Sequence, residues 1–245
     1  MNIIEFTQNQ KAYTFAKISK LAYEDTPVFY GFESKKIAVD NHVAFVLYND
    51  NDIVIVCRGT ELNDIKDITT DAKMSFVPSQ TGTGKGHKGF ENAAAAVFPH
   101  AVMICNKSRN NNQRVWFTGH SLGAAMSHIM ATVYHNMNPS NNTVLFTFGS
   151  PRVGNADNKA LGTVEHHRYV DSSDIVPRVP NSWFRYRHFG ELHYLDKNGH
   201  EIDVNFMGLM KDRIACFISN PTNIIEKHFI DQYVKALGKL EVRSL

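Results

Sequence analysis

Ser121 stands between two glycines in Gly119-His120-Ser121-Leu122-Gly123. An apolar, β-type run precedes it at residues 115–117, and an Ala-rich helical run follows from 122 to about 135. A serine at the apex of a strand–turn–helix is the setting of a nucleophile elbow. The glycines serve the turn, because a side chain on either flank would collide with the neighbouring strand or helix. The serine hydroxyl then projects above the sheet. The free N–H groups at the helix start face any negative charge that develops beside it. The chemistry this pattern suits is acyl transfer by an attacking hydroxyl. The competing reading is a serine in the tight turn of an ordinary βα unit, and a base and an acid further along the chain would separate the two.

A serine hydroxyl is a weak nucleophile until a base takes its proton, and the base needs an orienting acid. In α/β hydrolases the chain order is Ser, then Asp or Glu, then His. Two acids share the loop Asp171-Ser172-Ser173-Asp174-Ile175-Val176-Pro177. Asp174 is the favoured one, because the apolar Ile-Val-Pro behind it pins its backbone; both residues also suit Asx turns. The histidines that follow are His188, His193, His200 and His228. His188 and His193 fall in a β-rich segment and His200 beside an Asn-Gly turn. His228 is favoured as base from its place in the last loop-to-helix region. A tetrahedral intermediate also needs two donors for its oxyanion. The backbone N–H of Leu122 is one. Thr60, after Arg58-Gly59 at the end of an earlier strand, offers the other through its N–H and hydroxyl.

These groups need a scaffold that holds strand ends side by side. A first helix is expected over 6–22, and two strands at 43–48 and 53–57 joined by the Asx-rich turn Asn49-Asp50-Asn51-Asp52. A short polar helix is expected over 61–73. Thr81-Gly82-Thr83-Gly84-Lys85-Gly86 departs from the phosphate-loop pattern at Ser79 and Gly86, and reads as a flexible connection. An Ala-rich helix to about 106, the elbow unit, strands at 144–148 and 165–170, a hairpin of 184–195 with 201–206 around Asn198-Gly199, and a final helix near 229–237 complete the series. Alternating strands and helices predict an α/β fold with a mostly parallel central sheet and helices on both faces. The length, 245 residues, suits one domain over 1–245.

With 26 Lys and Arg against 24 Asp and Glu, and no basic stripe among the aromatics, nothing steers the chain toward nucleic acid. Cys57, Cys105 and Cys216 each lie in apolar stretches and read as small buried hydrophobes rather than a disulfide framework. The first residues, Met1-Asn2-Ile3-Ile4-Glu5, lack the basic and apolar regions of a signal peptide, and no run reaches transmembrane length. The expectation is a cytoplasmic protein or leaderless export.

Several motifs in order resemble the class 3 lipases, the fungal-lipase-like α/β hydrolases, from about residue 43 to 237. Cys57-Arg58-Gly59-Thr60 resembles the family's oxyanion strand end, Asp67-Ile68-Thr69-Thr70-Asp71 its lid-region D-W-x-x-D, and His87-Lys88-Gly89-Phe90 its H-x-G-F. Gly119-His120-Ser121-Leu122-Gly123 carries the family's usual His and Leu, and Thr147-Phe148-Gly149-Ser150-Pro151-Arg152-Val153-Gly154-Asn155 resembles the stretch after the next strand. Asp174-Ile175-Val176-Pro177 matches the acid loop, and His228-Phe229-Ile230-Asp231-Gln232-Tyr233 resembles the terminal His segment. The resemblance implies an α/β-hydrolase fold, a Ser121–His228–Asp174 triad, oxyanion donors at Thr60 and Leu122, and a lid over about 61–73. It implies a serine carboxylester hydrolase acting on lipid or other acyl esters, with transient contact with a lipid surface and no metal or organic cofactor. Ile68 replaces the family's lid-region Trp, and the segment around it is polar. This weakens the case for an oil-activated triglyceride enzyme and keeps phospholipase A1 or lysophospholipase activity as an alternative. A catalytically silent hydrolase-fold binding module is the non-enzyme alternative.

Overall fold

The computed structural model describes residues 1–59, 75–110, 113–140, 142–172, 174–203 and 228–243. The expected helix and lid at 61–73, Thr60, Cys216 and the end of the expected 201–206 strand lie outside the described residues.

The chain opens with helix α1 (Gln8–Leu21), started by a capping box in which Thr7 and Gln10 satisfy each other's backbone N–H groups. Strands β1 (Glu33–Val39), β2 (His42–Tyr48) and β3 (Asp52–Cys57) form an antiparallel meander. The sequence reading did not anticipate β1. It is an edge strand whose Glu33, Ser34, Lys35 and Lys36 are all exposed, the charged composition that protects an edge and hides the apolar signal of a strand. After β3 come two short strands, β4 (Phe76–Pro78) and β5 (Lys85–His87), and helix α2 (Lys88–Ser108). The elbow unit is β6 (Arg114–His120) and helix α3 (Leu122–Met137). Then follow β7 (Val144–Phe148), β8 (Gly154–Asn155), β9 (Glu165–Asp171), β10 (Tyr186–Arg187), β11 (Glu191–Leu195), β12 (Glu201–Ile202) and helix α4 (Ile230–Arg243).

The main sheet has the order β1-β2-β3-β6-β7-β9-β11-β12. The pairs from β3 through β6, β7 and β9 to β11 are parallel, and β12 returns antiparallel. β3 and β7 are buried along their whole length, as strands covered on both faces must be, and they read as continuous apolar runs. One face packs against α2 and α3 through Phe90, Val97, Met126, Ile129 and Tyr134. The other packs against α1 and α4 through Phe15, Ile18, Tyr233 and Leu237. Asp52 is buried beneath this second face, where its carboxylate accepts from Trp116 Nε1 at 2.8 Å and from the Ile3 N–H at 2.9 Å. Among the described residues, no helix is long and apolar enough to cross a membrane.

Two local expectations are corrected. The 81–86 connection is anchored rather than flexible: Thr81 Oγ1 donates to Asn158 Oδ1 at 2.7 Å, and buried Glu91 accepts from Ser79 Oγ at 2.6 Å and from the Gln80 N–H at 3.1 Å. Long-range partners decide this, and a Gly-Thr run does not announce them. The expected 184–195 hairpin arm divides, because β10 joins a second sheet of order β10-β8-β5-β4 while β11 pairs with β9. Only the β11–β12 turn around Asn198-Gly199 keeps the hairpin form. Cys57 and Cys105 are buried and free, and burial pushes the Cys57 thiol up to about 12.

Candidate active site

The parallel strands β6, β7 and β9 end on one edge of the sheet, and the loops beyond them meet there. Ser121 turns the chain from β6 into α3 with φ 59° and ψ −127°, a left-handed conformation rare for a residue with a side chain. The turn is held by its own backbone: the Ser121 N–H donates to the Phe148 carbonyl at 3.1 Å, and its carbonyl accepts from the Ala124 N–H at 3.0 Å. A methyl group on Gly123 would stand 2.1 Å from the Cys57 carbonyl oxygen, and one on Gly119 would stand 2.4 Å from the Gly123 oxygen. The glycines therefore let the helix start lie directly against β3. Leu122 opens α3, so its N–H is one of those with no acceptor in its own helix.

Past β9 the chain folds back at once. The Asp174 N–H reaches the Asp171 carbonyl at 3.1 Å, and the Ser172 N–H binds the Leu195 carbonyl at the end of β11 at 2.8 Å. Asp174 is buried and its carboxylate is surrounded by donors. Oδ1 accepts from the Val176 N–H at 2.9 Å, Oδ2 from Tyr233 O–H at 2.6 Å, and His228 Nδ1 lies 2.9 Å from both oxygens. A carboxylate can only accept, so Nδ1 carries the proton and Nε2 keeps its lone pair. Among the described residues neither His228 Nε2 nor Ser121 Oγ has a hydrogen-bond partner, and both atoms are buried.

Three further residues shape this pair. Tyr233 Oη also accepts the Asp171 N–H at 3.1 Å, and burial with the Asp174 and Asp171 charges holds its acidity far from neutrality, so it stays a donor. Gly149, at φ +58°, passes beneath the pair, where a Cβ would lie 2.7 Å from Asp174 Oδ2 and 3.0 Å from His228 Cε1. His120 is buried against the His228 ring with centroids 4.5 Å apart, and burial followed by the His228 charge holds its pKa well below the ordinary value. Its Nε2–H donates to the His228 carbonyl at 2.6 Å. That fixes Nδ1 as acceptor for Tyr23 O–H at 2.8 Å, and Gly59 packs so closely on this hydroxyl that a Cβ there would stand 2.1 Å from Tyr23 Oη. The chain Tyr23–His120–His228 thus joins the residues just after α1 to the backbone of the histidine.

Of the sequence-predicted site residues, the structure brings Asp174 and His228 into contact and sets Ser121 at the elbow with Leu122 behind it; Thr60 lies outside the described residues. The other candidate histidines go elsewhere. His188 donates from Nε2 to the Pro177 carbonyl at 2.6 Å and braces the acid loop through its backbone. His193 points to Glu201 and His167, and His200 to Asp196. The sequence reading did not find Tyr23, Tyr233 or Gly149. Tyr233 sits in the quoted terminal segment, but nothing in its neighbours marks it as a partner of Asp174.

A buried acid–histidine pair beside a strained serine at the strand ends of a parallel sheet is the architecture of the α/β-hydrolase fold. Comparison with known proteins sharpens this. The family model described as Lipase (class 3) matches residues 54–184, and the chain belongs to the class 3 lipase family. A lipase of Rhizomucor miehei is 32% identical over 163 residues, covering 62% of this chain and 44% of that protein. A secreted mono- and diacylglycerol lipase of Fusarium solani is 34% identical over 116 residues, covering 45% of this chain and 34% of that protein. The chain thus spans less than half the length of these relatives. Among solved structures, the Rhizomucor miehei triacylglyceride lipase superposes with a TM-score of 0.67 at 26% identity, covering 78% of this chain and 82% of that one. A triacylglycerol lipase described as having a serine protease triad at its catalytic centre superposes with a TM-score of 0.66 at 27% identity, covering 80% and 84%.

Proposed function

We propose that this protein is a serine carboxylester hydrolase that cleaves acyl esters of lipids through Ser121, His228 and Asp174. The observation that carries the reading is the Asp174–His228 hydrogen bond at 2.9 Å, which leaves Nε2 as a buried basic nitrogen that, like Ser121 Oγ, has no hydrogen-bond partner among the described residues. In free enzymes such contacts are often long and tighten when substrate binds.

Nε2 takes the Ser121 proton as Oγ attacks the ester carbonyl. The oxyanion settles against the Leu122 N–H, with Thr60 as the proposed second donor. Asp174 stabilises the imidazolium and keeps its orientation. His228 then protonates the leaving alcohol, and water repeats the cycle on the acyl-enzyme. Every proton is carried by His228, so the reaction needs no metal or organic cofactor. The lipid class of substrate rests on family membership and on the character of the relatives. Trp183, 90% exposed, and Phe184, 52% exposed, offer an apolar edge to a lipid surface in the turn that follows the acid loop.

The test is hydrolysis of p-nitrophenyl esters from C2 to C16 by wild type and Ser121→Ala, with fluorophosphonate labelling in parallel. The reading expects activity and labelling in wild type and neither in the variant. Activity retained by Ser121→Ala refutes it. Wild type silent on these esters, on phospholipid vesicles and to the probe makes the chain a binding module.

A further inference from the structure

The α1/α4 face of the sheet holds a cluster that ester hydrolysis does not use. β9 and β11 pair in parallel, with Glu191 opposite His167 and His193 opposite Tyr169. Alternate residues of a strand share a face, so His167, Glu191 and His193 project on the same side. His167 Nδ1 lies 3.0 Å from His193 Nε2 and 3.4 Å from Glu191 Oε2, and His193 Nε2 lies 3.8 Å from the same oxygen. The outer nitrogen of each ring faces a different carboxylate: His193 Nδ1 is 2.6 Å from Glu201 Oε1, and His167 Nε2 is 3.2 Å from Glu165 Oε1.

The outer carboxylates decide the tautomers. Each accepts, so each outer nitrogen carries its ring's proton. Both inner nitrogens are then lone pairs, 3.0 Å apart, beside an anionic oxygen. Three acceptors meeting in this way repel one another unless a cation sits among them. Ligand atoms around a tetrahedral zinc, each ~2.1 Å from the metal, stand ~3.4 Å apart. The observed separations, 3.0, 3.4 and 3.8 Å, bracket that value. A carboxylate on the far nitrogen is the arrangement that orients metal-bound imidazoles and raises their basicity. The His193 side chain is only 8% exposed, whereas that of Glu191 is 65% exposed, so the cluster opens to solvent on one side, where a water completes four-coordination.

We propose that His167, Glu191 and His193 bind a divalent transition metal of the zinc class, with Glu165 and Glu201 orienting the two imidazoles. The ion staples β11 to β9. β9 runs on to Asp171 and the loop bearing Asp174, and the Ser172 N–H already ties that loop to the end of β11. The role is structural and independent of the chemistry proposed at Ser121.

The test uses the untagged 245-residue chain stripped with EDTA, then titrated with zinc sulfate and followed by calorimetric titration and thermal melting. One zinc binds per chain, and at a hundredfold excess over the dissociation constant the melting temperature rises by roughly 5–10 °C. Both effects are lost in Glu191→Gln and in His193→Gln, while Ser121→Ala keeps them. Glu191 is exposed, so Glu191→Gln in EDTA should melt within about 2 °C of stripped wild type, separating a lost ligand from a damaged fold. Cobalt(II) should give the intense visible spectrum of a four-coordinate site in wild type and Ser121→Ala but in neither ligand variant. An equal zinc shift in Glu191→Gln overturns the assignment, since the ion would then lie elsewhere among the 12 histidines. The absence of binding overturns it too, and means that the two imidazoles share a proton.

Discussion

Replacing Asp174 by Asn keeps the size of the side chain and removes its charge. In the structure all the hydrogen bonds at this carboxylate run inward: the Val176 N–H to Oδ1, Tyr233 O–H to Oδ2, and His228 Nδ1–H between the two. An amide offers one oxygen and one NH2. The NH2 cannot sit at the Oδ1 position, where it would face the Val176 N–H. It must take the Oδ2 position, turn the Tyr233 hydroxyl into an acceptor, and point a hydrogen toward His228. Nδ1–H then keeps one weakened acceptor, and no negative charge remains beside the imidazolium that forms in the transition state. Loss of the acid in a comparable triad costs about 10⁴ in kcat, about 5 kcal/mol of transition-state stabilisation. The assay is kcat on the best p-nitrophenyl ester, with Asp171→Asn as the control because that residue shares the loop, while the carboxylate hydrogen-bonded to His228 Nδ1 is that of Asp174. The variant also loses charge-assisted hydrogen bonds, so a melting temperature lower by roughly 5–10 °C is expected, and the assay belongs well below it. Asp174→Asn within tenfold of wild type, or Asp171→Asn falling as far as Asp174→Asn, would refute the role given to Asp174.

Three smaller perturbations follow. Tyr233→Phe removes the 2.6 Å donor to Asp174 but leaves its charge and the Val176 N–H, so kcat should fall by about tenfold, far less than in Asp174→Asn; equal losses would show that the hydroxyl and not the carboxylate is the critical group. Gly123→Ala drives a methyl group to 2.1 Å from the Cys57 carbonyl, so the helix start must move off β3; insoluble protein or a melting temperature lowered by more than about 10 °C is expected, and a variant with wild-type stability contradicts the elbow packing. His128 is buried with Nε2 2.8 Å from the Leu161 carbonyl, and burial lowers its pKa from 6.5 to about 4. The unfolded chain therefore binds a proton that the folded chain refuses. Stability is full above about pH 6.5 and falls toward pH 4, by about 3 kcal/mol from this one residue. Burial also holds His120 and His188 well below the ordinary value, so they steepen the same loss. Urea midpoints between pH 7.5 and 4.5 should show it, and His128→Gln should make the slope shallower; an unchanged slope removes His128 from the account.

The local signals were legible in the sequence. Gly-x-Ser-x-Gly between an apolar run and an Ala-rich helix specifies a tight strand-to-helix turn, because only glycine fits where two backbones touch. Strand–helix alternation predicts a parallel sheet, and the ends of its strands gather loops. The order Ser, Asp, His narrowed the acid to two residues and the base to four, local context favoured Asp174 and His228, and the family resemblance agreed and settled Asp174 over Asp171. The partnerships were not legible. That His188 braces the acid loop while His228 meets Asp174 depends on β11 pairing with β9 and on α4 packing back across the sheet. Tyr233 and Tyr23 look like any core tyrosines until the fold aims one hydroxyl at Asp174 and the other at His120. The three side chains of the proposed metal site gather because β9 and β11 pair in one particular register, and a slip of one residue would turn Glu191 and His193 to the other face of the sheet. Turn geometry and periodicity are written in neighbouring residues. Hydrogen bonds between distant ones are chosen by sheet order and register, which only the folded chain sets.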